Sequence, residues 1–115
     1  MRIKQDKEVF FEGNSLEVLK GFPKGTREDL GVALRELQHG EVPADSRPMP
    51  SIDQGVFELK ASDERTWYRV MYYTRIKNRI YVLHSFKKDS RKTQKRDLDI
   101  ARQRLKTLKE RIRNE

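Results

Sequence analysis

Cysteine is absent from this 115-residue chain, which excludes disulfides, thiolate chemistry and cysteine zinc sites. Histidine is scarce as well. His39 and His84 are isolated from each other in sequence, and two separated imidazoles do not make a metal site, so no metal and no other cofactor is expected. Long apolar runs are missing: none approaches the roughly 20 residues that span a bilayer. Met1 to Lys7 carries Arg2, Lys4, Asp6 and Lys7 with no long apolar run after it, unlike a secretory signal. These absences predict a cytoplasmic protein without a membrane partner. Apolar residues make up only 35% of the chain and charged ones 38%, so a small core under a heavily ionised surface is expected, folded as one domain over residues 1–115.

What the chain has in excess is positive charge, a net +8. Such a field speeds encounter with polyanions without choosing among them. The excess is concentrated. Six of the twelve residues from Ser85 to Arg96 are Lys or Arg, and the block lies between a Val/Ile/Tyr-rich segment and an amphipathic one. A basic loop held between two rigid elements places several cations around a phosphate. The partner it points to is RNA or DNA, with chemistry on the backbone a further option.

Hydrophobic spacing predicts the elements. Val9 to Phe11 suggests a short strand. Asn14-Ser15-Leu16-Glu17 offers an N-cap with Glu three positions on, as in a capping box, for a brief helix ending before Pro23. A second helix from Thr26 carries Leu30, Ala33, Leu34 and Leu37 and stops at Gly40. His39 is then expected at the helix's C-terminal carbonyls. Glu41 to Gln54, with three of the four prolines, reads as a loop. Three strands follow, Gly55–Ala61, Thr66–Thr74 and Arg79–Ser85, joined by short polar connections that favour antiparallel hairpins. The last helix, about Arg96 to Ile112, repeats Leu98, Ala101, Leu105, Leu108 and Ile112, a stripe suited to packing on the chain's own sheet. The order β-α-α-β-β-β-α predicts an α+β fold, a small antiparallel sheet with helices on one face.

Several phrases together resemble a known family. They are Ala33-Leu34-Arg35-Glu36-Leu37-Gln38-His39-Gly40, Gly55-Val56-Phe57-Glu58-Leu59-Lys60, Tyr68-Arg69-Val70-Met71-Tyr72, His84-Ser85-Phe86-Lys87-Lys88 and Thr93-Gln94-Lys95-Arg96 followed by Ala101. Their order and spacing, from about Val9 to Leu105, resemble the HigB-like, phage-derived branch of the RelE/ParE toxin superfamily. The branch commonly has Pro where Gln94 stands and a basic residue where Asp89 stands. The resemblance implies a RelE-like fold and the toxin of a type II toxin–antitoxin pair, a ribosome-dependent mRNA endonuclease. It implies mRNA and the ribosome as targets, and a small helix-turn-helix antitoxin as partner.

RNA cleavage without a metal needs a group to take the 2′-OH proton, a group to stabilise charge on phosphorus and one to assist the leaving 5′-oxygen. Lys60 and Arg69 fall on neighbouring strands, each away from the main apolar row. Arg69 suits bidentate phosphate binding. Lys60, among other cations, is a candidate base through a pKa lowered by like-charge repulsion. Lys87 and Lys88 end the third strand within reach of the same concavity, as general acid or phosphate clamp. By resemblance these four match basic positions of the branch. Arg91, Lys92, Lys95 and Arg96 are expected to bind RNA backbone, since the helix macrodipole alone disfavours cations at that helix start. His84 is a secondary candidate, with a half-buried strand role beside Ile80 and Val82 as its plain alternative. Trp67 could stack on a base or touch the antitoxin. Tyr68 and Tyr72 share a face with Val70 and read as core. Glu58 shares a side with Lys60, which it could orient through a salt bridge. Two other functions remain open at this point: a ParE-like gyrase inhibitor, or a non-catalytic nucleic-acid-binding protein.

Overall fold

The structure, a computed structural model, describes residues 6–88 and 94–115. Its elements run β1 (Glu8–Phe11), α1 (Ser15–Lys20), α2 (Lys24–Gln38), β2 (Ser46–Pro48), β3 (Val56–Ser62), β4 (Trp67–Tyr73), β5 (Arg79–Lys88) and α3 (Lys95–Arg113). The α+β class holds and all the expected helices and strands are present. The sheet differs from expectation in two ways. It has five strands in the order β1-β5-β4-β3-β2, because the proline-rich loop contributes β2, antiparallel to β3. Pro48 is tolerated there because β2 is an edge strand. The sheet is also mixed, since β1 runs parallel to β5.

A further correction concerns the layers: helices cover both faces, not one. On one side Leu59, Val70, Tyr72, Ile80 and Val82 pack with Leu19, Phe22, Leu30, Leu34 and Leu37 of the α1–α2 segment. On the other, Val56, Met71, Tyr73, Tyr81 and Leu83 pack with Ala101, Leu105 and Leu108 of α3. Strand side chains alternate between faces, so the residues on the solvent-facing parity of each hairpin supply the second core. The α3 stripe packs on its own sheet, as its spacing predicts.

One irregularity selects which β5 side chains face α3. Tyr72 pairs with Val82 and Tyr73 with Tyr81, but Met71 pairs with His84, so the register slips by one between Met71 and Tyr72. Leu83 is the extra residue of a β-bulge. Before the bulge the odd-numbered residues of β5 face α3; beyond it His84, Phe86 and Lys88 do, opposite Met71, Arg69 and Trp67. His84 therefore does not share the face of Ile80 and Val82, as simple alternation predicts.

Two local expectations give way to tertiary contacts. Asn14 makes no side-chain cap for α1; its Oδ1 instead accepts from Arg104 Nη2 of α3 at 2.7 Å. Arg104 Nη1 also donates to the Leu83 carbonyl at 3.0 Å, and Gly13 makes room for this guanidinium. A Cβ at Gly13 would lie 2.5 Å from it, on a backbone with φ of +55° that favours glycine. His39 pairs with Asp6 at 2.9 Å rather than with helix carbonyls, and Gly40 takes the left-handed conformation (φ 84°) after α2. Ion pairs Arg111–Glu12 at 2.7 Å and Lys109–Asp53 hold the rest of α3 along its flanks.

Candidate active site

On the α3 side of the sheet the helix's apolar stripe covers Val56 of β3, Met71 and Tyr73 of β4 and Tyr81 and Leu83 of β5, and the same strands run on beyond that cluster. There its side chains change character. Lys60 of β3 lies directly across from Arg69 of β4, Arg69 across from Phe86 of β5, and Trp67 across from Lys88. Directly opposed pairs on one face have Cβ atoms about 4.5–5.5 Å apart and diagonal ones about 7–8 Å. Lys60, Arg69 and Lys88, three of the four expected catalytic cations, therefore share one patch. Lys87 does not. The bulge turns it to the α1–α2 side, opposite Tyr68, where it is exposed.

The patch is built around a buried carboxylate. Glu58 is 1% exposed, and its Oε1 lies 3.0 Å from Arg69 Nε and 3.1 Å from Nη2 of Arg47 on β2. Its partners are these two arginines, not Lys60. Arg69, 7% exposed, is close enough to Glu58 for an ion pair, but its Nε–H is not aimed well enough for a hydrogen bond. Nε and Nη1 of Arg69 and Oε2 of Glu58 have no hydrogen-bond partner among the described residues. Buried polar atoms without partners are uncommon and cluster where strain or function requires them. Lys88 is 6% exposed and forms no ion pair among the described residues.

Burial lowers the Arg69 guanidinium from its ordinary value, Glu58 opposing and Arg47 adding to the decrease; an arginine so shifted remains a cation. Burial likewise lowers the Lys88 ammonium, helped by the charges of Arg69 and Arg47 and opposed by Glu58. Lys60 is exposed. Burial thus loosens the proton of Lys88. Four cations, Arg47, Lys60, Arg69 and Lys88, surround one carboxylate, leaving a strong positive excess in a partly desolvated place.

His84 sits beside this patch, under the start of α3. Its Nε2 lies 2.8 Å from Asp97 Oδ1, its Nδ1 3.5 Å from Arg104 Nη1, and its ring stacks on Phe86 with centroids 4.9 Å apart. Arginine only donates, so Nδ1 accepts and Nε2 carries the proton shared with Asp97. Burial lowers the His84 pKa, Asp97 opposing and Arg104 and Arg96 adding to the decrease. Lys95 and Arg96 are exposed in the first turn of α3, Lys95 within 3.7 Å of Asp99. Arg91 and Lys92 lie outside the described residues. Among the described residues no three His, Asp or Glu side chains converge in a way that could hold a metal ion, and no helix is long and apolar enough to cross a membrane.

Arg47 is the site residue that sequence reading misses. It stands in a proline-rich stretch with no alternation, and only the pairing of β2 with β3 brings it to Glu58.

The sequence model of the family described as "Phage derived protein Gp49-like (DUF891)" matches residues 17–106. The chain belongs to this family. Membership bears out the RelE/HigB-like resemblance of the sequence phrases, and the matched span holds Arg47, Glu58, Lys60, Arg69, His84 and Lys88. No curated protein matches the chain by sequence. Among solved structures, this Gp49-like chain is similar to the Escherichia coli toxin RelE, solved as a mutant in the free state. The TM-score is 0.62 at 15% sequence identity, over 90% of this chain and 98% of that one. At that identity the likeness speaks for the fold, which is RelE-like.

Proposed function

We propose that this protein is the toxin of a type II toxin–antitoxin pair and that it cleaves mRNA on translating ribosomes, in the cytoplasm, at the patch formed by Arg69, Lys88 and Lys60. Family membership and fold support the toxin class. One observation carries the nuclease reading: two cations, Arg69 and Lys88, are each more than nine-tenths buried beside one buried carboxylate that pairs with Arg69 and not with Lys88, and Arg69 keeps guanidinium donors without acceptors. A surface built only for solubility would leave such cations in water. A phosphodiester supplies the missing acceptors and the compensating charge.

In this reading Arg69 grips the scissile phosphate and stabilises charge as it builds on phosphorus. Lys60, directly across the strand, adds a second positive charge from the solvent side. The 2′-oxygen attacks phosphorus and gives its proton to solvent water, while Lys88, whose ammonium gives up its proton more readily than an ordinary lysine, protonates the 5′-oxygen as its bond to phosphorus breaks. Glu58 and Arg47 keep Arg69 in place. Arg91, Lys92, Lys95 and Arg96 hold the flanking RNA backbone, and a helix-turn-helix antitoxin is the partner that restrains the activity.

The test uses Lys88→Met, which keeps the apolar stem and removes the charge. On translating ribosomes the wild type cleaves mRNA, and the variant loses about 100-fold or more. Its melting temperature stays equal or rises, because a like-charge neighbour of Arg69 has gone. A folded variant with full cleavage overturns the assignment. Intact mRNA alongside blocked DNA supercoiling would place the protein with gyrase inhibitors instead.

A further inference from the structure

Trp67 belongs to neither hydrophobic core and is 48% exposed. It is placed with unusual care for a surface aromatic. It stands two residues before Arg69 on the same face of β4, directly opposite Ser62 on one side and Lys88 on the other. The Arg69 guanidinium lies over its ring at 5.5 Å from the centroid, which fixes the indole's orientation by a cation–π contact. Trp67 and Lys60 also border a groove of about 620 Å³ that runs round the edge of β3 to the α2 side of the sheet, where Val32, Asp29, Glu36 and Asp45 line it.

We propose that Trp67 and the mouth of this groove form a base-binding subsite for a nucleotide flanking the scissile phosphate. The inference rests on the nuclease reading of Arg69 and Lys88 and goes further, to how the substrate is held. Side chains at i and i+2 on one strand face are spaced by about 6.5 Å, comparable to the reach from a phosphate to its own base. With a phosphate held at Arg69, an adjoining base falls on the indole. Stacking is sequence-tolerant because every base has a π-face. The acidic lining adds direction: Asp29, Glu36 and Asp45 repel a second phosphate, so a base enters the groove and the backbone stays outside on the cationic side. Neutral, planar and unsaturated is the ligand class that this geometry accepts.

The experiment is a two-by-two comparison of single-turnover cleavage on programmed ribosomes. The mRNA is either intact or abasic at the nucleotide on one or the other side of the cleaved bond, and the protein is wild type or Trp67→Ala. For one of the two positions the wild type loses roughly 5- to 100-fold on the abasic message. Trp67→Ala is slowed to a similar level on intact mRNA and shows no further loss on the abasic one. Trp67→Phe keeps most of the abasic penalty, showing that the ring and not the fold is being read. An abasic penalty at both positions that is unchanged by Trp67→Ala overturns the subsite; weakened antitoxin binding would then assign Trp67 to protein docking. A wild type without cleavage would instead remove the nuclease reading on which the subsite stands.

Discussion

The α3 side of the sheet has two ends made from the same strands. At one end of the strands, Tyr81, Leu83, Met71 and Tyr73 lie beneath Ala101, Leu105 and Leu108 and gain their free energy from leaving water. At the other end, Glu58, Arg69 and Lys88 are about equally buried, yet burial there costs free energy that charge pairing only partly offsets. Along β4 the two regimes are two residues apart, Met71 in one and Arg69 in the other. The difference teaches that the apolar end makes the charged end possible: a rigid, packed half of the strand holds the other half in an arrangement that would not assemble alone.

Breaking the buried ion pair has the largest expected effect. Glu58→Ala leaves Arg69 buried with no carboxylate and should cost about 3–5 kcal/mol in denaturant unfolding. Glu58→Gln combined with Arg69→Gln should recover much of that stability while cleavage stays lost, which separates the pair's structural part from its chemical one. At the apolar end, Leu108→Ala should cost about 2–5 kcal/mol, with the rate per folded molecule unchanged. A mutation there that abolished cleavage in the folded fraction would show that the two ends are not separable.

The seam between the ends carries a pH signature. The folded-state pKa of His84 is lowered, chiefly by burial, so the unfolded chain binds more protons below the ordinary histidine value of about 6.5. The stability this neutral ring contributes is complete above that value and is lost as pH falls from it toward the lowered one, with a slope of at most about 1.4 kcal/mol per pH unit. Chemical denaturation across pH 5–7.5 should show the slope in the wild type and a flatter curve in His84→Gln.

The smallest effects sharpen the charged end itself. Lys60→Ala, at an exposed position, should leave stability within about 0.5 kcal/mol and slow cleavage about tenfold, the loss of one charge-assisted contact. Lys87→Ala should change cleavage by less than about twofold, since no more than a rim charge is lost. Equal losses from Lys87→Ala and Lys88→Met would contradict the register of β5.

How much of the fold and the site was legible depends on where the controlling interactions are. Helical spacing located α2 and α3, and alternation located β3, β4 and β5, because each pattern is local. The pairing of Lys60 with Arg69 was readable too, since a short hairpin sets register and alternation sets the face. The second helical layer was not: Met71, Tyr73, Tyr81 and Leu83 read as the lesser face until α3 is known to cover it. Arg47 was hidden for a similar reason, its strand having three residues and no periodicity. The choice between Lys87 and Lys88 depends on the bulge, and nothing in Leu83-His84 announces one. His84 could be singled out, but its tie to Asp97 joins positions that only the return of α3 brings together.

The slip at Leu83 has a consequence for comparing relatives. In this chain the lysine that enters the cationic patch is selected by counting backbone units from the bulge, not by the side chain's chemistry. A homologue of the same length whose β5 ran through this point without the bulge would present the other lysine, with every neighbouring letter unchanged. An ungapped alignment across this point would therefore equate residues that face opposite sides of the sheet.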